Sequence, residues 1–581
     1  MILGVNAAYH ESSACMTDGA TPFVAVEEER FSAVRHAKEP TAAGVWLMPH
    51  WAVASCVSRL PIGQKVEHLA YSFDPWLRLR RIAGAFNPGA LTLRKAVREL
   101  GLFTSSLRPL ELLCSTAPKK EFVRSRLAAL AASKPKIHHV RHHLAHAASC
   151  FYPSGFDEAA ILTIDGIGEW CCSFLAEGCG KELKAIREVP YPDSLGFFYE
   201  EITRFLGFER NRDEFKITAL SCYGKPKYAE ALRRLAPLGE DGRYAVKIDF
   251  RRESALAVPE LVELLGPPRL PGGELTDRHA DIAASAQVVL EDTVLHILRF
   301  LRGRTEQHSV CLAGGVFLNC RLNERIRREA GFERLFIQPA ANDAGTALGA
   351  ALWVAHNLLG EARIARTDDW CLGPSFDDDA IRKALNERGL LFQESADIAR
   401  DCAALLANGK ILGWFQGKME WGPRALGHRS ILADPRVPEM RDRINSIKAR
   451  ESFRPVAPSV CEEDMQAYFD SPESSPHMLF ARQVRPEARH IIPAAVHVDG
   501  SARVQTVHAR EHPLFHRLLT EFRERTGVGA VLNTSLNSRG KPIVCTIDQA
   551  IECFFNTPLE DRKSTRLNSS HSAKSRMPSS A

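Results

Sequence analysis

The first 190 residues carry one supersecondary pattern twice, and that repetition constrains the fold more than any other feature. The pattern is an apolar strand, a polar turn and a hairpin. In the first copy, MILGVNAA (1–8) is a short apolar run, and SSACMTDG and TPFVAVEEERF flank an Asp18-Gly19 turn. Asp-Gly between two such runs is a strong hairpin signal. In the second copy, AAILTID (159–165) is the apolar strand and GIGE the turn. WCCSFLAEGCGKELKAIREV then reads as a hairpin breaking at Gly178 to Lys181.

This internal duplication resembles the actin-like, sugar-kinase-like ATPase fold, in which two ribonuclease-H-like halves close over a nucleotide. Residues 280–303 carry an apolar stripe at helical spacing and are predicted as a core helix. SVCLAGGVFLNCRLNERIRREAG (309–331) reads strand, glycine turn, helix. NDAGTALGAALWVAHNLLG (342–360) reads turn, then a small-residue helix. Two stretches between the copies, 77–86 and 91–101, are basic on one face and are read as solvated helix faces.

A boundary is expected near 360–380. Beyond it a second α/β region begins, with Ser375 as the N-cap of the helix DDDAIRKALNERG. The expected division is 1–365, 366–560 and a tail, 561–581, to be left out of the fold. DRKSTRLNSSHSAKSRMPSSA has no apolar period and almost nothing to bury. It is read as disordered or artefactual, resembling a translated adapter sequence.

The chain has 581 residues, with Lys+Arg 75 against Asp+Glu 70, a net +5. So balanced a charge lacks the footprint of a dedicated nucleic-acid binder. No apolar run reaches the ~18 residues that span a bilayer. No basic n-region precedes an h-region at the N-terminus. A cytoplasmic protein, without membrane or nucleic-acid partner, is the expectation. The 15 cysteines are scattered without a CxxC, so they read as buried thiols and a zinc knuckle is not expected.

HHVRHHLAHAASCFY (138–152) holds five histidines in nine residues. His142 and His146 are at i and i+4, one turn apart on one helix face, a spacing that lets two imidazoles bind one ion. His143 with His146 is a less favoured pairing. A carboxylate must complete such a site. Asp343 lies between a strand end and a helix start, with helix capping as its bland role. Asp165 ends an apolar strand before glycines and suits a metal, a water or a ligand hydroxyl. Gly166 and Gly168, and separately Gly314-Gly315, allow backbone N–H groups to approach phosphate oxygens.

A second constellation follows residue 416. Lys418, Arg424 and Arg429 crowd the glycine-broken loop QGKMEWGPRALGHRS. Lys448, Arg454, Arg503, Asn533 and Arg539 follow on other segments. Spaced arginines on several loops suit a polyanion, because guanidinium grips phosphate in bidentate fashion and keeps its charge.

YHESSA, EEERF, HHLAHAAS, DGIGE, LAGGVFLN, NDAGTALGAA, GPRALGHRS, FRPVAPS and LNTSLNSRGKPI together resemble the carbamoyltransferase family of antibiotic and nodulation-factor biosynthesis. The resemblance implies an N-terminal domain like the tRNA-threonylcarbamoylation ATPase and a YrdC-like, carbamoyl-adenylate-forming C-terminal domain. It implies His142, His146 and Asp343 as ligands of Fe(II) or another divalent metal. Asp165 would contact carbamoyl adenylate, and His10 would be the base at the acceptor hydroxyl. Gly166, Gly314, Gly315, Arg424, Lys448, Arg454, Arg503 and Asn533 would hold nucleotide and carbamoyl phosphate. Arg35 and Lys216 would face the acceptor. Implied co-substrates are ATP with Mg and carbamoyl phosphate; the implied partner is a small-molecule hydroxyl acceptor, and the state a monomer or homodimer. EFKITALSCYG departs from the family pattern, since Phe215 and Ala219 replace glycines. Two other readings stay open: a tRNA threonylcarbamoyl-type modifying enzyme, and a non-catalytic actin-like nucleotide-binding module.

Overall fold

The computed structural model describes residues 1–37, 48–84, 107–250, 258–364, 366–557 and 571–574. The basic stretch 91–101 lies outside the described residues, as do 85–86 of the other one. The chain divides into two compact units, Met1–Thr367 and Asp368–Ala581.

The first unit contains two five-stranded sheets of the same design. In one, β1 (Ile2–Asn6) pairs antiparallel with β2 (Ser13–Asp18), and β2 with β3 (Thr21–Glu27). β4 (His68–Tyr71) joins β1 in parallel, and β5 (Lys136–His139) joins β4, giving the order β3-β2-β1-β4-β5. In the other, β6 (Glu158–Ile164) pairs antiparallel with β7 (Cys171–Cys179), and β7 with β8 (Glu182–Pro190). β9 (Ser309–Ala313) and β10 (Arg334–Ile337) extend it in parallel. The order β8-β7-β6-β9-β10 repeats the first sheet strand for strand and sense for sense. The duplicated actin-like core expected from the sequence is thus present in the topology.

Sequence explains why the middle of each sheet is buried. AILTI of β6 is apolar or hydroxylic throughout and fully buried, as a strand covered on both faces must be. The edge strand β8 carries Glu182, Lys184, Arg187 and Glu188, charges that discourage pairing with another chain. The core of the first half is built from Leu3, Val5, Met16, Val26, Leu69 and Tyr71 among others.

In each half a helix follows the last strand: His142–Phe151 after β5, and Ala344–Trp353 after β10. The two pack against one another. Their approach depends on small residues, because a Cβ on Gly349 would lie 1.7 Å from the Ala145 carbonyl oxygen. The predicted core helix runs Asp277–Thr305 and begins with a Thr276–His279 capping box.

The second unit holds a five-stranded mixed sheet, the second α/β region expected from the sequence. Its strands β12 (Leu412–Phe415), β13 (Arg429–Ala433), β14 (Ala457–Cys461), β17 (Gln505–Val507) and β18 (Ala530–Ser535) take the order β12-β13-β18-β14-β17. Short strands β15 (Ala481–Gln483) and β16 (Ser501–Arg503) form a separate ribbon. The helix after the boundary is capped by Asp377, not Ser375: the Asp377 carboxylate accepts from Ala380 N–H. Asp and Ser cap about equally well, so position decides, and Ser375 stands two residues too early. Of the tail 561–581, only His571–Lys574 are described. They form strand β19, antiparallel to β11 (Leu391–Glu394).

Candidate metal centre and anion site

The first turns of the helices His142–Phe151 and Ala344–Trp353, and the end of β6, bring four donors together. His142 Nε2 lies 3.3 Å from Asp343 Oδ1 and 3.8 Å from Asp165 Oδ2. His146 Nε2 lies 3.0 Å from Asp165 Oδ2 and 3.4 Å from Asp343 Oδ1. Both imidazoles are fully buried, and both carboxylates nearly so. Asp343 occupies the N-cap position, yet its side chain makes no capping bond and turns to the histidines instead. Asp165 belongs to the same set of four.

A cation fits this set by two criteria. Two imidazole nitrogens and two carboxylate oxygens are a donor set for a divalent transition metal. Several of the atoms, among them His142 Nε2 and Asp343 Oδ1, are buried without a hydrogen-bond partner, a costly arrangement unless something binds them. Burial works against charge on His142, and the Asp343 and Asp165 carboxylates more than reverse it, holding its pKa well above the usual value. The cluster therefore already attracts a positive charge.

Supporting contacts fix the ligands. The helix His142–Phe151 lacks a side-chain cap of its own. Glu169 supplies one from the following turn, accepting from the His142 N–H at 2.9 Å and the Asp74 N–H at 2.8 Å. His143 is bonded at both nitrogens, to Thr163 Oγ1 at 2.6 Å and to the Cys171 carbonyl at 2.9 Å. That removes the alternative His143/His146 pair: Nε2–H donates to the Cys171 carbonyl, and the remaining lone pair, on Nδ1, accepts from the Thr163 hydroxyl.

His10 lies in the turn after β1, and Asp165 directly follows β6. His10 Nδ1 meets Glu11 Oε2 at 2.8 Å, and His10 Nε2 faces Asp343 Oδ2 at 3.9 Å. Glu11 also accepts from His36 and from the Asp343 N–H. Burial opposes its charge, but His10 and His36 outweigh that and hold the carboxyl well below the usual range. Glu11 and Glu169 were not singled out from the sequence. Their signals were adjacency: Glu11 beside His10 in YHESSA, Glu169 closing DGIGE.

The glycine turns lie at the same place. Gly166 N–H donates to Asp165 Oδ1 at 2.8 Å. Gly314, at φ +99°, passes so close to β6 that a Cβ would lie 2.1 Å from the Ile164 carbonyl. A Cβ on Gly315 would be 3.1 Å from Asp165 Oδ1. Both turns thus border Asp165. Arg35 and Lys216 also neighbour one another: Arg35 lies over the Phe215 ring at 5.5 Å, and Lys216 pairs with Asp213 at 3.0 Å. Phe215, which replaces a glycine, is the platform for Arg35.

The second unit gathers cations. Lys448, at the C-terminus of the helix Met440–Ile447, is buried and donates to Asn537 Oδ1 at 2.6 Å and to Ser535. Burial, with Arg450 and Arg454 nearby, pushes its pKa well down. Burial together with Arg454 and Arg503 pushes Arg450 down to about 9. Arg454 has Glu451 at 3.7 Å as an acidic neighbour. Asn533, on β18, donates to Ser459 Oγ and Gln505 Oε1, each at 3.0 Å, and its carbonyl oxygen is buried without a partner. Like charges crowded at a buried place repel one another, and a bound polyanion relieves that. Arg450 is the member that sequence reading passed over, although it stands between Lys448 and Arg454 in KARESFR.

The loop 416–428 folds around Glu420, whose Oε1 accepts the N–H groups of Leu426, His428 and Arg429. Arg424 is half-buried within it. Arg429 does not serve an anion. It is fully buried, lies 3.7 Å over the Phe415 ring, and donates to the carbonyls of Gln416, His428, Pro374 and Gly417. Lys418 and Arg539 are exposed.

Fold and site define a two-unit α/β protein, with a buried cluster of two histidines and two aspartates that could hold a divalent metal in a duplicated ribonuclease-H-like unit, and a group of buried cations in its second unit. Residues 90–352 match the carbamoyltransferase N-terminus and residues 403–562 the carbamoyltransferase C-terminus. The nodulation protein NolO of Bradyrhizobium diazoefficiens is 41% identical over 72% of this chain and 77% of its own length. The 3'-hydroxymethylcephem-O-carbamoyltransferase of Streptomyces clavuligerus is 34% identical over 55% of this chain and 60% of its own. An uncharacterised Synechocystis protein, sll1178, is 37% identical over 96% of this chain and 95% of its own. This chain belongs to the carbamoyltransferase family and is a transferase. Among the described residues, no helix is long and apolar enough to cross a membrane.

Proposed function

We propose that the protein is a cytoplasmic, ATP-dependent O-carbamoyltransferase that moves a carbamoyl group from carbamoyl phosphate to a hydroxyl of a small natural-product or sugar acceptor. The convergence of His142, His146, Asp165 and Asp343 on one point carries this reading. The names of the cephem and nodulation relatives support a small-molecule acceptor.

In the 366–560 region, water hydrolyses carbamoyl phosphate to carbamate and phosphate, and the carbamate oxygen attacks the α-phosphorus of ATP with release of pyrophosphate. Lys448, Arg450, Arg454 and Arg503 offset the charge on the phosphoryl oxygens, with Arg424 beside them. Asn533 orients carbamoyl phosphate through its unpartnered carbonyl. The 1–365 region then transfers carbamoyl from the adenylate, with AMP as leaving group.

Glu11, held as a carboxylate, accepts from His10 Nδ1–H and leaves Nε2 as the base that takes the acceptor's proton. Asp165 and the backbone at Gly166, Gly314 and Gly315 border the adenylate. Arg35 and Lys216 line the acceptor side. His142, His146 and Asp343, with Asp165 adjoining, would hold Fe(II) or another divalent metal, and that ion would supply Lewis-acid chemistry at the transfer site.

Incubation with ATP, Mg, carbamoyl phosphate and candidate acceptors tests this by mass spectrometry. An acceptor gains one carbamoyl group, and pyrophosphate appears only with carbamoyl phosphate present. His142→Ala keeps pyrophosphate release and loses transfer. Wild-type transfer by His142→Ala would refute the metal's role.

A further inference from the structure

The second unit contains a cluster of donors that the transfer chemistry does not use. Cys371, His428 and His512 come from segments far apart in the chain, yet their donor atoms all lie within 4.8 Å of one another. His428 Nε2 stands 3.1 Å from His512 Nδ1, with the ring planes at 74°. Cys371 and His512 are 5% and 8% exposed. We propose that these three side chains form a second divalent-metal site, of zinc type, which clips the start of this unit to the loop 416–428 and to the helix Pro513–Thr526.

The geometry is that of ligands around a small ion. Two nitrogens each ~2.0–2.1 Å from a tetrahedral zinc stand roughly 3.3 Å apart. A thiol and two imidazoles form a donor set that selects zinc over calcium or magnesium. Burial, with His512 and Arg429 alongside, pushes His428 down to about 4 against the pull of Glu420. Burial likewise lowers His512. The two facing nitrogens share one hydrogen bond, which an ion held between them would replace. His428 Nδ1 and Glu420 Oε2 are buried without hydrogen-bond partners, and Glu420 is 1% exposed.

The surroundings favour a cation. The Glu420 and Asp369 carboxylates both stand near enough to act on Cys371, and a coordinating thiol is held as thiolate by its metal ion. Asp369 accepts from the Cys371 N–H at 2.8 Å and is exposed, which makes it the available fourth ligand.

The segment carrying Cys371 is already laid along the loop. Trp421 N–H donates to the Trp370 carbonyl and Gly373 N–H to the Met419 carbonyl, both at 2.9 Å, and Trp370 stacks on Trp421. His512 occupies the N-cap position of the helix Pro513–Thr526. A metal here would pin three segments around the loop that carries Arg424. Absence of a local CxxC argued against a zinc knuckle; a site assembled from positions 371, 428 and 512 has no local spacing to find.

The test uses the full chain, stripped with chelator and titrated with Co(II) as a spectroscopic stand-in for zinc. Wild type is expected to take up two equivalents and to show a near-ultraviolet thiolate-to-cobalt band. Cys371→Ser loses the band and one equivalent. His512→Asn weakens the same equivalent at least tenfold. His142→Ala loses the other equivalent and keeps the band. Far-ultraviolet dichroism confirms folding, and if Cys371→Ser does not fold, His512→Asn decides. A wild type without the band, or a band surviving in both Cys371→Ser and His512→Asn, overturns the proposal. These readouts do not depend on carbamoyl transfer.

Discussion

Gly349 rests directly on the Ala145 carbonyl oxygen, which an added Cβ would approach to 1.7 Å. Ala145 lies between His142 and His146, and Gly349 is on the helix that begins at Asp343. The spacing of the candidate metal ligands on the two helices therefore depends on this contact. Gly349→Ala forces the helices apart, and overpacking of this kind costs about 1–3 kcal/mol or more. Thermal unfolding should show the loss, and metal titration of the folded fraction should show weaker binding at the His142 site. Unchanged affinity would mean that the ligands adjust independently of the helix contact.

Glu169 caps the histidine helix from outside it. Glu169→Ala removes the acceptor for the His142 N–H, while Glu169→Gln retains one. Loss of a partner supporting a metal ligand costs ~10–100-fold in affinity or activity. The alanine variant should fall in that range and the glutamine variant well short of it, as read by metal titration.

Arg450 should matter to adenylate formation although no motif flagged it. A hydrogen bond to a charged group contributes ~1.5–3 kcal/mol, so Arg450→Ala should lower carbamoyl-phosphate-dependent pyrophosphate release by about 10–150-fold. Stability should rise or stay level, because one of the crowded cations is gone. A variant with wild-type pyrophosphate release removes Arg450 from the anion site.

Glu28 gives a pH signature. Its carboxyl is buried, accepts the N–H groups of Ala52 and Trp51, and is raised to about 8 by burial. The folded chain thus holds a proton there that the unfolded chain releases near pH 4.5. Stability from this group is present below about pH 4.5 and is lost as pH rises towards 8, by a few kcal/mol at most. Glu28→Gln keeps an acceptor without the charge. Its chemical-denaturation midpoint should fall less than that of wild type between pH 5 and pH 8. Parallel slopes would show that Glu28 ionises without penalty.

Much of the fold was legible because it depends on local periodicity. The Asp18-Gly19 and Gly180-Lys181 turns, the apolar strands before them and the long core helix are written in short-range pattern, and so was their duplication. His142 and His146 were legible for the same reason, since helical spacing alone places them on one face. Asp343 and Asp165 were candidates with a bland alternative each, helix capping for Asp343 and a turn for Asp165, and no local spacing chose between these and coordination.

Sequence by itself therefore determined the elements, their repetition, and the residue types available for metal and anion chemistry. Tertiary structure alone decided which of them meet. It put Asp343 on the histidines instead of its own helix, spent the two nitrogens of His143 on strands β6 and β7, stacked Arg429 on Phe415, and drew Cys371 to His428 and His512. The physical reason is that side-chain partnership depends on distance in space. Spacing along one helix or hairpin fixes that distance, whereas between remote segments it is set only by how closely the elements pack, down to a glycine against a carbonyl oxygen.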